Sequence, residues 1–265
     1  MTLTLSAINL YPVKACAGIG VPAWEVDLFG LRLDRRWAVV DLGGHCITQR
    51  EHPGLSVIRP TLRPPHLQLD APHLPTLVTP LAPQGGRRVT VEILGSRTPA
   101  VAPDPAADRW FTRHLGMECS LVFMPDDGFR PVDPRYAPEG TRTSFTDGFP
   151  FLLVGEASLA ELNRRLETPL PMNRFRPNLV VAGSEPFDED AWRSITIGEL
   201  GFDVVKPCDR CVVTTTDQAI GLRAGDEPLR TLATFRRRGG KVLFGQNVVH
   251  RGTGTLRVRD EVRTG

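Results

Sequence analysis

The chain has 265 residues, of which 41% are hydrophobic and 23% charged, with a formal net charge of +2. That is enough to bury a core without disulfide staples, in one large domain or two modest ones. So small a charge excludes a nucleic-acid footprint over the whole surface, though not a local anion site.

The opening "MTLTLSAINLYPVK" alternates apolar and polar residues, as a strand does. It lacks the basic start and apolar core of a signal peptide. No apolar run approaches the roughly 20 residues that span a bilayer, so no membrane partner is expected. The five cysteines, Cys16, Cys46, Cys119, Cys208 and Cys211, are odd in number and scattered. That usage points to a reducing, cytoplasmic location.

Residues 1–125 read as mostly β. "RWAVVDLGGHCIT" predicts a strand, a Gly-Gly turn and a second strand, and "RRVTVEILG" predicts another strand after the "PQGG" turn. "PAADRWFTRHLG" predicts a helix, with Pro105 at its start and Gly116 at its end. Residues 126–148 are polar and rich in Gly and Pro, which suggests both a linker and a mobile loop over a site.

From 149 onward the pattern sharpens. "FPFLLVG" is a buried strand, and "SLAELNRRLE" a helix with Leu159, Leu162 and Leu166 on one face. Ser158 and Glu161 have capping-box spacing. "NLVVAG" is a strand, "RSITIGELGFDVVKPC" a hairpin turning at Gly198–Glu199, and "LFGQNVVHRGTGTLRVRDEV" two strands. "FRRRGGK" reads as a solvated hairpin tip, not a nucleic-acid contact. The fold class is therefore mainly β with a few helices (α+β), a barrel or sandwich divided at 125/126.

"KPCDRCVVTTTDQAIG" holds Cys208 and Cys211 in C-x-x-C spacing. A structural zinc site needs about four ligands, and no second C-x-x-C exists. A redox dithiol usually heads a helix, whereas the β-branched "VVTTTD" favours a strand. Two inert buried thiols are a further reading. Lys206, Arg210 and the threonines suit instead a thiolate beside an anionic ligand, as one soft ligand to a transition metal completed by a cofactor.

Other segments carry candidate anion-binding groups, each of which also reads as a solvated strand or an ordinary surface turn. "MNRFRPNLVV" places Arg174, Arg176 and Asn178 at the mouth of a strand, and Pro177 biases Arg176 toward an extended backbone. "YPVKACAGIG" sets Lys14 in a loop with free backbone N–H groups. "DRRW" can turn one arginine inward. No G-x-G-x-x-G, G-x-x-x-x-G-K or G-x-S-x-G is present.

In this order, "YPVKACAGI", "DRRW", "TQREHP", "FPFLLVGEASLAELNRRLE", "RFRPNLVV", "KPCDRCVVTTTDQAIG" and "LFGQN" resemble the MOSC proteins, the molybdenum cofactor sulfurase C-terminal domain family. The likeness covers nearly the whole chain. It is strongest to the branch with an added N-terminal β-barrel domain, which includes amidoxime-reducing proteins.

The resemblance implies an N-terminal barrel domain over 1–125 and a MOSC domain over 126–265. It implies a molybdenum cofactor (Mo-molybdopterin), with Cys211 as metal ligand and Cys208 as a neighbour. Lys14, Arg35, Arg176 and Asn178 would hold the cofactor, with Ala15, Arg50, Arg174 and Thr214 in the matching segments beside them. Asp217 is expected either to support the site from behind or to handle a proton. Ala15 stands where the family has Ser, and Gly148 and Phe149 replace two hydroxyl residues. The implied activity is two-electron reduction of N-hydroxylated compounds, or of N-oxides or S-oxides. Electrons would come from a separate ferredoxin- or flavin-type protein, since no ferredoxin domain is evident. The alternative is a persulfide sulfur carrier. The pyridoxal phosphate associated with the family belongs to a desulfurase domain that this sequence does not show.

Overall fold

The computed structural model describes residues 2–265. Seven strands close into a barrel. In order around it they are Phe151–Gly155, Leu179–Ala182, Leu3–Leu10, Glu261–Thr264, Ser194–Ile197, Leu200–Asp209 and Lys241–Arg251. Pairing of Phe151 with Val248 closes the ring. Phe151–Gly155 and Leu179–Ala182 run parallel. Parallel neighbours need a crossover, which the helix Glu156–Asn163 supplies. Leu5, Ile8, Phe151, Leu153, Val181, Phe202 and Val248 fill the interior with alternate side chains of their strands.

A second core lies in the N-terminal part, where Trp37, Val39, Leu55, Leu67, Ala107, Phe111 and Leu121 pack together. It is covered by the antiparallel strands Trp37–Asp41, Cys119–Phe123, Ser96–Ala102 and Arg87–Ile93. A three-stranded sheet, Arg59–Arg63, His66–Asp70 and Leu77–Pro80, completes it. The helix Pro105–Leu115 is bounded as its sequence predicts. Asp104 accepts from the Ala106 N–H at 2.8 Å, Pro105 opens the first turn, and Gly116 ends it at φ +69.

Four expectations need correction. The strand after Gly43-Gly44 reduces to bridges at His45 and Cys46. The capping box at Ser158 does not form. Gly155 caps the helix, and the buried Ser158 hydroxyl donates to Glu189 at 2.8 Å, a carboxylate that also takes the Gly155 N–H. A tertiary acceptor outcompetes the local one. Glu161 turns outward to Arg164 and Arg165. The C-terminal segment forms three strands, not two, because Gly254–Arg257 leaves the barrel to pair with Ala23–Asp27. Finally, the 126–148 segment is anchored at its end. Thr143, Ser144, Phe145 and Thr146 are buried, and the buried Arg130 donates to the Ser144 and Thr146 carbonyls at 2.9 Å.

Candidate cofactor site

One cavity of about 410 Å³ opens between the barrel and the N-terminal loops. Six basic side chains line it, Lys14, Arg35, Arg50, Arg176, Lys206 and Arg210, against two carboxylates, Asp147 and Asp209. That imbalance calls for an anionic ligand.

Three loops build the cationic end, and each turns on a non-glycine residue in the left-handed region: Ala15 at φ +67, Arg35 at +48 and Arg176 at +55. Such conformations are strained and cluster where a site must be shaped. The extended backbone expected of Arg176 from its following proline is not found. The 3-10 turn Met172–Arg174 precedes it, and the left-handed residue redirects the chain into the strand Leu179–Ala182. Tertiary contacts hold it there: its carbonyl accepts from Arg35 at 3.4 Å, and its guanidinium lies 4.4 Å from the centre of the Tyr11 ring. Arg35 lies at the same 4.4 Å from that ring and bonds Asp34 at 2.5 Å and the buried Asn178 at 2.9 Å.

Arg176 makes no ion pair among the described residues; its polar partner is Gln218 at 3.3 Å. Burial, together with the neighbouring charge of Arg35, pulls its pKa below the ordinary value despite the opposing pull of Tyr11. A half-buried guanidinium left without a counter-anion is costly, and a phosphate at this position would relieve it.

Lys14 is buried and forms an ion pair with Asp147, which also accepts from Arg50 at 2.9 Å. Loss of water around the half-exposed Asp147 works against its charge, but Lys14 and Arg50 outweigh it and hold the carboxyl well below the usual range. Burial likewise opposes the charge of Arg50, yet Asp147 and the Cys211 sulfur beside it push its pKa up.

Cys211 lines the cavity. The strand expected after it is instead a 3-10 turn, Val212–Thr215, with Cys211 at its head. The Thr214 and Thr215 hydroxyls bond the carbonyls of Cys211 and Val212 at 3.0 and 2.8 Å. Such back-bonding closes a turn that β-branched composition alone does not announce. Cys208 also faces the cavity, with Arg210 donating to its sulfur at 3.0 Å. Burial raises its pKa in spite of Arg210. Burial also pushes Cys16 up to about 12 and Cys46 up to about 11. Among the described residues no cluster of three or more His, Cys, Asp or Glu could hold a metal by itself. A metal here would need ligands carried by a cofactor.

The structure thus brings Lys14, Ala15, Arg35, Arg50, Arg176, Asn178 and Cys211 to one cavity. It sets Arg174, Thr214 and Asp217 behind its wall. Arg174 donates to the Thr215 carbonyl at 2.9 Å and to Asp217 at 3.2 Å, pinning the cysteine loop from outside. Asp147, Gln49 and Gln218 escaped sequence reasoning. Gln49 and Gln218 bond each other reciprocally at 2.9–3.1 Å, and Gln49 reaches the Ala15 carbonyl at 2.5 Å, linking Arg176 to the Lys14 loop. Asp147 lay in a stretch that reads as linker, and lone glutamines carry no pattern.

The barrel and the N-terminal loops thus set two thiols, Cys208 and Cys211, against a cluster of cations, a lining suited to an anionic ligand. Residues 140–263 match the MOSC domain and residues 2–118 the MOSC N-terminal beta barrel domain. The rat protein "Mitochondrial amidoxime reducing component 2" is 34% identical over 278 residues, covering 98% of this chain and 82% of that protein. Human "Mitochondrial amidoxime-reducing component 1" is 32% identical, again covering 98% and 82%. Rice "Molybdenum cofactor sulfurase" is 33% identical over 91% of this chain but only 32% of its own length, so the chain spans about a third of that relative. The chain belongs to the MOSC family. No helix among the described residues is long and apolar enough to cross a membrane.

Proposed function

We propose that this chain binds the molybdenum cofactor and reduces N-hydroxylated compounds by two electrons. The observation that carries the reading is Cys211 lining the same cavity as Arg176, which has no carboxylate partner among the described residues. A soft thiolate suits the metal, and the guanidinium suits the cofactor's phosphate. The names of the amidoxime-reducing relatives support the same activity.

Arg35, Arg176 and Asn178 would hold the phosphate, with Lys14 and the Ala15 backbone beside them. Cys211 would supply one sulfur ligand. When bound, the cofactor supplies a metal able to change oxidation state by two and to take up one oxygen atom. The overall change is R–NH–OH + 2 e⁻ + 2 H⁺ → R–NH₂ + H₂O, with the electrons arriving from a separate ferredoxin- or flavin-type protein. N-oxides and S-oxides lose oxygen with the same balance. Asp147, kept ionised by Lys14 and Arg50, accepts a hydrogen bond from the substrate's N–H or O–H group. Asp217 steadies the cysteine loop through Arg174. A division at residues 125/126, across which Leu3–Leu10 joins the seven-stranded barrel, and a cytoplasmic location remain part of this proposal.

Reduction of benzamidoxime to benzamidine by protein purified from a cofactor-competent host, with a reduced viologen dye as electron source, tests the reading without the natural donor. Loss of the dye signal without benzamidine would contradict it. The sulfurase relative favours a second reading, in which Cys211 carries a persulfide. A stable gain of about 32 Da on Cys211 after incubation with a cysteine desulfurase, in protein free of metal, would support sulfur transfer instead.

A further inference from the structure

Lys206 is not among the residues that the family resemblance assigns to the cofactor, yet it lines the same cavity. Its place is fixed by the barrel. Lys206 pairs with Asn247 across the ladder, Asn247 pairs with Leu152, and the Leu152 N–H and carbonyl both bond Asn178. All four residues line the cavity. The row crosses three interstrand steps of about 4.8 Å each. Lys206 therefore stands about 14 Å along the wall from Asn178, the residue that accepts from Arg35. The ladder shifts register between Val204 and Lys206 and again between Pro207 and Asp209. Irregularities of this kind re-aim side chains beside sites.

Aromatic rings hold the ammonium group. Lys206 Nζ lies 5.2 Å from the Tyr136 ring centre and 5.9 Å from that of Phe149, and the two rings meet edge to face at 5.7 Å. Phe149 packs on a small cluster in which Val132 and Ala137 of the 126–148 segment meet Val249 of the barrel. Lys206 makes no ion pair among the described residues. The carboxylates nearest to its field are already engaged, Asp133 with Arg135 at 2.5 Å and Asp209 with Lys241 at 2.9 Å. The same cavity also offers apolar surface, from Phe149 and the exposed Leu94.

We propose that Lys206 and Phe149 form a substrate subsite that selects N-hydroxylated compounds carrying a carboxylate on a flat apolar body. The ring or chain of the substrate lies against Phe149 and Leu94, its carboxylate meets Lys206, and its N–O group points toward Cys211. A cation stacked on aromatic rings is pre-oriented, so little side-chain freedom is lost when an anion binds. The subsite deepens the reductase reading and rests on it for the identity of the reacting group.

The test compares benzamidoxime with 4-carboxybenzamidoxime as substrates of the cofactor-loaded protein, in wild type and Lys206→Met. The wild type is expected to prefer the carboxylated probe through a lower KM. Lys206→Met should raise that KM about ten-fold, with kcat unchanged and benzamidoxime kinetics within about two-fold. Equal loss for both probes, or no preference in the wild type, overturns the subsite. Equilibrium binding of the non-reducible 4-carboxybenzamidine and benzamidine to the same two proteins separates the claims. A carboxylate preference lost in Lys206→Met upholds the subsite even if neither probe is reduced, in which case the reductase reading fails alone. Equal binding of both amidines in both proteins overturns the subsite even if reduction proceeds.

Discussion

Lys14 and Asp147, 133 positions apart in sequence, form an ion pair in the wall of the cavity that Cys211 also lines. The pair ties the N-terminal loop to the end of the 126–148 segment. Arg50 completes it from a third loop.

This clamp gives a pH signature. The Asp147 carboxyl is depressed in the folded protein, whereas an unfolded aspartate titrates near 3.9. The unfolded state therefore binds the proton first, and stability from this group is present above about pH 4 and lost as pH falls below it. Thermal melts between about pH 5 and pH 2.5 should show Asp147→Asn losing less stability on acidification than the wild type, by a margin that narrows in high salt because Asp147 is half exposed. Identical pH slopes would show that the clamp contributes nothing to folding.

Arg174 and Arg176 are two residues apart but act on different sides of the wall. Arg174→Met leaves the Thr215 carbonyl and Asp217 Oδ2 without the Arg174 donor and should cost about 2 kcal/mol in denaturant unfolding. Arg176→Met removes an unpaired charge and its repulsion with Arg35, so the cofactor-free protein should melt at the same or a higher temperature. That variant should be purified with little cofactor. The account fails at this point if Arg176→Met retains the cofactor as well as wild type does.

Ala15 occupies a left-handed position at the cavity edge without a hydroxyl. Ala15→Ser keeps the backbone cost nearly unchanged and adds one donor to the phosphate end. One added hydrogen bond to a charged group is worth about 1.5 kcal/mol or more, so cofactor loss during dialysis should slow by about ten-fold. An unchanged loss rate would place the phosphate elsewhere.

The sequence showed what repeats or is spaced by a rule. The helix at Pro105–Leu115 carries both its cap and its stop, and the hairpin at Gly198–Glu199 carries its turn. Lys14, Arg35, Arg176, Asn178 and Cys211 stand in ordered motifs, and the fold brings them to one cavity. What escaped depends on distant partners. The Arg176 backbone is decided by Tyr11 and Arg35 rather than by Pro177. Ser158 is claimed by Glu189, and the turn after Cys211 is closed by threonine hydroxyls rather than forming a strand. Asp147 is a site residue only because the chain before it is anchored by Arg130, which composition does not reveal.

The central claim is that Cys211 is the protein's single ligand to a cofactor-borne molybdenum. Elemental analysis of wild type, Cys208→Ser and Cys211→Ser, each purified from a cofactor-competent host, tests it most directly. Near-stoichiometric molybdenum is predicted in wild type and Cys208→Ser, with metal and amidoxime reduction lost together in Cys211→Ser. Wild-type protein without molybdenum, or a Cys211→Ser variant with full metal and activity, would contradict the account.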